Sequence, residues 1–151
     1  MEVTEAIRNR KSTRAFLPKP VDRETITSIL ECARWAPSGV NSQPWQVAVV
    51  TGDTKRQLAE ALAKCRTDGE PARQDYEYYP TKIEEPYSTR RRVCGKALYS
   101  ALNIQRDDIE KRKDQWMKNY HSFDAPVALY FFIDGILETG SWVDCGMFIQ
   151  N

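Results

Sequence analysis

What this chain has little of narrows its chemistry first. It holds a single histidine, His121, which rules out a His-rich metal site and makes an essential imidazole base unattractive. No metal is expected. Its four cysteines, Cys32, Cys65, Cys94 and Cys145, include no Cys-x-x-Cys pair. They therefore suit neither a zinc ribbon nor a small disulfide scaffold, and read as reduced, partly buried thiols. Neither sign of charge dominates: 22 Lys+Arg face 21 Asp+Glu, for a net charge of +1. That balance gives no electrostatic case for nucleic acid or an anionic membrane. No apolar run is long enough to span a bilayer, and Met1 opens no charged-then-apolar leader, so a cytoplasmic location is expected. Gly-x-Gly-x-x-Gly, P-loop and Ser-His-Asp arrangements are also missing. What remains is 151 residues with 41% hydrophobic content, enough for a real core in one domain spanning 1–151.

Periodicity divides the chain. Glu2 to Asn9 reads as a short helix with Val3, Ala6 and Ile7 on its apolar face. Asp22 is a candidate N-cap for a helix carrying Ile26, Ile29, Leu30 and Ala33, which ends before Pro37. Trp45 to Thr51 reads as a strand, and Thr54 to about Cys65 as a helix. From Arg66 to Arg92 the chain is polar, Pro-punctuated and rich in tyrosine, which predicts a lid, a wrapping segment or disorder. Helices are expected around Val93 to Leu102, Asp107 to Tyr120 and Gly140 to Asn151. The apolar run Val127 to Ile133 reads as a buried central strand. Two strands make a marginal sheet, and the chain stops at Gln150-Asn151 in apparent mid-helix. The expectation is that this is the N-terminal two-thirds of a longer protein, with the C-terminal part missing.

Two segments can carry chemistry. Arg10-Lys11-Ser12-Thr13-Arg14 packs three cations and two hydroxyls into five residues. An arginine fork matches a phosphate with two parallel charge-assisted hydrogen bonds, and in an extended chain Arg10, Ser12 and Arg14 share a side. The alternative is a solvated basic turn. Ala36-Pro37-Ser38-Gly39-Val40-Asn41-Ser42-Gln43-Pro44-Trp45 is a turn-rich loop whose small residues let a flat ligand approach the backbone. The alternative there is an ordinary helix-to-strand connection. Tyr76 to Arg92 could cover an anionic aromatic substrate, or could be a solvated loop.

These two segments, together with Pro20-Val21, Phe123-Asp124-Ala125-Pro126 and Gly140-Ser141-Trp142, resemble the nitroreductase family of FMN-dependent oxidoreductases over essentially the whole chain. The resemblance implies an α+β fold, a three-layer α/β/α sandwich with a mixed, mainly antiparallel sheet. It implies FMN held by Arg10, Lys11, Ser12, Thr13 and Arg14, and by Pro37, Ser38, Gly39 and Asn41 of a loop lying over the ring. The Gly39–Val40 amides would lie near the reactive edge. It further implies an intertwined homodimer with FMN sites at the subunit interface. No catalytic side chain is expected, because the flavin carries the redox chemistry. NAD(P)H would donate electrons in a ping-pong cycle to a small aromatic acceptor, a nitroaromatic or a quinone. Val40, Tyr87 and Lys118 are substrate-contact candidates. Lys118 enters because Trp116-Met117-Lys118 is similar to a segment of the iodotyrosine-dehalogenating branch. Reductive dehalogenation or dehydrogenation is the alternative activity, and an inactive truncated or non-enzymatic fragment the alternative to any activity.

Overall fold

The computed structural model describes residues 2–69 and 76–151. The chain forms two compact units, Met1–Ala59 with Ser122–Asn151, and Glu60–His121. Residues 70–75 of the expected lid lie outside the described residues.

The first unit starts with α1 (Val3–Asn9), whose apolar face is present but uncovered: Val3 is 74% exposed and Ile7 64%. α2 (Arg23–Ala33) begins where expected. The backbone N–H of Thr25 donates to Asp22 Oδ1 at 2.6 Å, and Thr25 Oγ1 donates to Asp22 Oδ2 at 3.0 Å. The first satisfies an otherwise orphaned amide of the helix start. These two bonds, the amide first, hold the Asp22 carboxyl below its ordinary pKa. A lowered folded-state pKa contributes stability that is fully present above the ordinary carboxylate pKa and is lost as pH falls through the folded value. Asp22→Ala should therefore lower the melting temperature at neutral pH. In thermal melts across the acid range, the gap between variant and parent should close; a gap of constant size would contradict this assignment.

β1 (Gln46–Thr51) and β2 (Val127–Phe132) pair antiparallel, from Gln46 opposite Phe132 to Thr51 opposite Val127. Both match the apolar runs that suggested them, and with the helices they make the chain α+β. β2 was expected to be a buried central strand. Among the described residues it has one paired neighbour, β1; Val127 to Phe131 are half-buried and Phe132 is exposed. The core gathers on one face of this pair. Ala33, Ala36 and Phe148 are buried, with Leu30, Trp45, Val47, Phe131 and Met147 packed around them. Phe148 stacks on Trp45 with ring centroids 4.8 Å apart and meets Phe131 edge-on at 6.0 Å.

Phe148 belongs to α6 (Thr139–Gln150), within one residue of the helix expected at Gly140 to Asn151. Only one side of it is buried, through Asp144, Cys145 and Phe148, while Trp142, Val143 and Ile149 are between 44% and 60% exposed. α3 (Gly52–Thr67) leads from β1 into the second unit and runs two residues further than expected at each end. There, α4 (Tyr87–Ala101) corrects the reading of Arg66 to Arg92 as one loop: its last six residues are helical. Glu85 accepts from Ser88 Oγ and, at 2.9 Å, from Thr89 Oγ1, so the helix start is fastened by a carboxylate just ahead of it. α5 (Ile109–Met117) is shorter than the stretch Asp107 to Tyr120. The cysteines also differ from expectation. Cys145 is buried, which raises its thiol pKa, while Cys32, Cys65 and Cys94 are exposed and all four are free.

Candidate functional site

α1 ends at Arg10, whose backbone (φ −56°, ψ 129°) leaves the helix for an extended course. In that irregular segment Arg10 Nη1 donates to Ser12 Oγ at 3.4 Å, so these two side chains, two residues apart, share a side. Arg10, Lys11, Ser12, Thr13 and Arg14 are all exposed. Neither Arg10 nor Arg14 forms an ion pair among the described residues. The Arg14 guanidinium lies 5.9 Å from the centroid of the Phe123 ring, a cation–π contact worth about 0.5–1 kcal/mol at an exposed site. It anchors the basic segment to the turn Ser122–Asp124 that precedes β2.

The loop after α2 is held differently. Gly39–Asn41 forms a single 3-10 turn, and Val40, Asn41 and Gln43 all have positive φ, at 48°, 57° and 48°. For a β-branched residue such as Val40 that conformation is strained, by about 1–3 kcal/mol, and persists only where the surroundings impose it. The imposing contacts are visible. Gln43 N–H donates to Ser38 Oγ at 3.0 Å, and Gly39 N–H donates to Asp144 Oδ2 at 3.1 Å. The outcome is a fixed projection: Val40 stands fully in solvent at 101% exposure, with Pro37, Gly39 and Asn41 also exposed and Ser38 half-buried.

Asp144 is the residue that sequence reasoning missed. It is a carboxylate 8% exposed on the buried side of α6, and it takes up the Gly39 amide that was expected to face the flavin edge. Among the described residues the Val40 amide has no such partner. A lone acid inside the apolar run Trp142 to Phe148 was the available signal, since a buried carboxylate needs a donor. Asp144→Ala should destabilise the fold by about 1.5–3 kcal/mol, the range for a hydrogen bond to a charged group. Asp144→Asn, which keeps an acceptor, should lose less; equal losses in urea titrations would mean the bond to Gly39 is not what matters.

No hydrogen bond joins segment 10–14 to loop 37–41 among the described residues. The substrate candidates Tyr87 and Lys118 belong to the other unit. Tyr87 opens α4, 64% exposed with Arg90 5.7 Å from its ring centroid, and Lys118 follows α5, exposed. Among the described residues no three His, Cys, Asp or Glu side chains group as metal ligands, and no helix is long and apolar enough to cross a membrane.

The family model described as "Nitroreductase family" matches residues 7–151, both segments included. The chain belongs to the nitroreductase family. Among relatives, it is 37% identical over 150 residues to the nitrobenzene nitroreductase of Ectopseudomonas oleovorans, covering 99% of this chain and 66% of that protein. It is 35% identical over 145 residues to the 4-nitrobenzoate reductase of Pseudomonas putida, covering 96% and 63%. The chain thus spans about two thirds of the length of the curated relatives it matches. The solved FMN and NADPH-dependent nitroreductase NfnB from sphigopyxis sp. strain HMH superposes with a TM-score of 0.95 at 40% identity, over 99% of this chain and 68% of that one. The FMN-dependent NfnB from Mycobacterium smegmatis, solved in complex with NADPH, gives 0.90 at 32% identity, over 97% and 66%. The fold is therefore that of the nitroreductases, as the two motifs implied.

Proposed function

We propose that this nitroreductase-family chain is an FMN-dependent oxidoreductase that passes two electrons from NADH or NADPH to nitroaromatic or quinone acceptors. The observation that carries the reading is the exposed cluster Arg10, Ser12 and Arg14, whose two arginines form no ion pair among the described residues. The donor set fits an FMN phosphate: two guanidinium forks supply charge-assisted hydrogen bonds and a hydroxyl adds another. Lys11 and Thr13 add positive charge and a second hydroxyl to the same stretch. The similarity to solved FMN- and NADPH-dependent proteins supports the same ligands.

Residues 1–151 would act as one FMN-binding domain within a homodimer, with FMN sites at the subunit interface. Loop 37–41 would come from a second copy, setting Pro37, Ser38, Gly39 and Asn41 over the ring plane. Exposed Trp35 (85%) and Val40, beside the uncovered faces of α1 and α6, are apolar surface that such a partner would cover. Bound FMN would supply the two-electron chemistry, so no side chain need act as acid or base. The chain's own contributions would be to fix the phosphate, to aim the Val40 N–H at the ring edge, and to leave an open face for donor and acceptor in turn. Val40, Tyr87 and Lys118 would meet the acceptor, and a cytoplasmic site of action accords with a nicotinamide donor.

Steady-state kinetics with NADPH and 4-nitrobenzoate test the cycle. Parallel lines in double-reciprocal plots are expected from a shared face used alternately, whereas intersecting lines would contradict it. Turnover of halogenated phenols without nitro reduction would assign the dehalogenating alternative instead.

A further inference from the structure

The second unit carries a cavity that the flavin reading does not use. Its volume is about 890 Å³, in the upper part of the range for small-molecule sites. All its lining residues fall between Pro80 and Arg112, and none of the flavin candidates 10–14 or 37–41 is among them.

One wall is a face of α4. Ser88, Arg91, Arg92, Lys96, Tyr99 and Ser100 recur every three to four residues, the spacing that puts them on one side of a helix. The stripe therefore faces the cavity as a set, with Gly95 among its members. Glycine in a helix interior costs up to about 1 kcal/mol against alanine. Here it leaves the wall open, since a Cβ at Gly95 would meet nothing within 4 Å.

The charge is one-sided. Arg91, Arg92, Lys96, Arg106 and Arg112 line the cavity, and among the described residues no carboxylate does. None of the five forms an ion pair among the described residues. Arg112 is instead held by the Tyr99 ring, 4.3 Å from its centroid, and Arg92 by Thr89 Oγ1 at 3.0 Å. These contacts hold the side chains without an ion pair, although Arg92 is also near enough to Glu85 to help lower that carboxyl's pKa. In a chain whose net charge is only +1, five cations around one cavity are a local arrangement rather than a consequence of composition.

We propose that this cavity binds a phosphorylated small molecule of about nucleotide size, held by the cations of α4 together with Arg106 and Arg112. A ligand with a single carboxylate would leave most of this charge unmatched, whereas a diphosphate offers several acceptor oxygens to guanidinium forks. Ile83, Ile104 and Pro80 add apolar wall that could receive a base or another ring.

The test is isothermal titration calorimetry of the FMN-saturated protein with inorganic pyrophosphate and with ADP. Binding of both is expected, weakening as salt rises. Equal affinities would make the phosphates the whole of the recognised group, and tighter binding of ADP would make the ligand a nucleotide. Lys96→Ala with Arg106→Ala should weaken binding at least about tenfold, and among the described residues neither side chain makes another hydrogen bond or ring contact that folding would miss. Gly95→Leu keeps every charge but fills the cavity, and should weaken binding comparably. No binding by the parent protein would overturn the proposal. So would binding untouched by Gly95→Leu, which would reveal only diffuse surface charge, or binding lost only on replacing Arg10 and Arg14.

Discussion

Replacing Arg10 and Arg14 together by alanine should weaken FMN binding by about 100-fold or more, with the fold intact. Each guanidinium offers charge-assisted hydrogen bonds to the phosphate, and a hydrogen bond to a charged group is worth about 1.5–3 kcal/mol. Two such losses amount to about 3–6 kcal/mol, and each 1.4 kcal/mol is tenfold in affinity. Neither side chain is buried, and the cation–π contact of Arg14 with Phe123 is all that the core side of the segment would lose. Circular dichroism and melting should therefore be nearly unchanged while the dissociation constant rises. Arg10→Lys and Arg14→Lys should recover part of the affinity, because charge returns without the planar fork. Unchanged FMN affinity in the double alanine variant would remove the assigned role.

The second large effect concerns stability. Phe148→Ala should destabilise the protein by about 3–5 kcal/mol, the usual cost of removing a buried aromatic side chain. Phe148 is 3% exposed and touches both strands at one end of the sheet, stacking on Trp45 just before β1 and meeting Phe131 of β2. The buried set around it is small, Ala33 and Ala36 being its buried companions, so the cavity would have little to collapse onto it. Against a typical total of about 5–15 kcal/mol, such a loss should shift the denaturant midpoint sharply. A double-mutant cycle with Trp45→Leu should show coupling, since the rings are in contact. A Phe148→Ala midpoint within error of the parent would mean that this cluster is not what holds α6 to the sheet.

How much of this was readable depended on whether a signal was local. The strands at Gln46–Thr51 and Val127–Phe132 were legible nearly to the residue, because β-branched and aromatic runs stand between Pro44 and Gly52 and after Pro126. Asp22 was legible as a cap because capping is decided within four residues. The start of α4 was not, because Pro86 and the polar, tyrosine-rich stretch before it argue for a loop. The Glu85–Ser88–Thr89 hydrogen bonds that favour the helix become visible only once it exists. Periodicity placed an apolar face on α1 but cannot say what covers it, and Val3 and Ile7 are exposed. Of the candidate site, the motifs at 10–14 and 37–45 were legible as chemistry. The tie between Gly39 and Asp144 was not, since it joins residues 105 positions apart.

The most direct test of the account is an FMN titration of the purified protein, followed by quenching of flavin fluorescence. Saturable quenching with one FMN per chain is expected, shifted to about 100-fold higher concentration or beyond in the Arg10→Ala, Arg14→Ala pair. A folded protein that leaves flavin fluorescence unchanged would contradict it, and would reduce the basic segment and the loop to solvated turns.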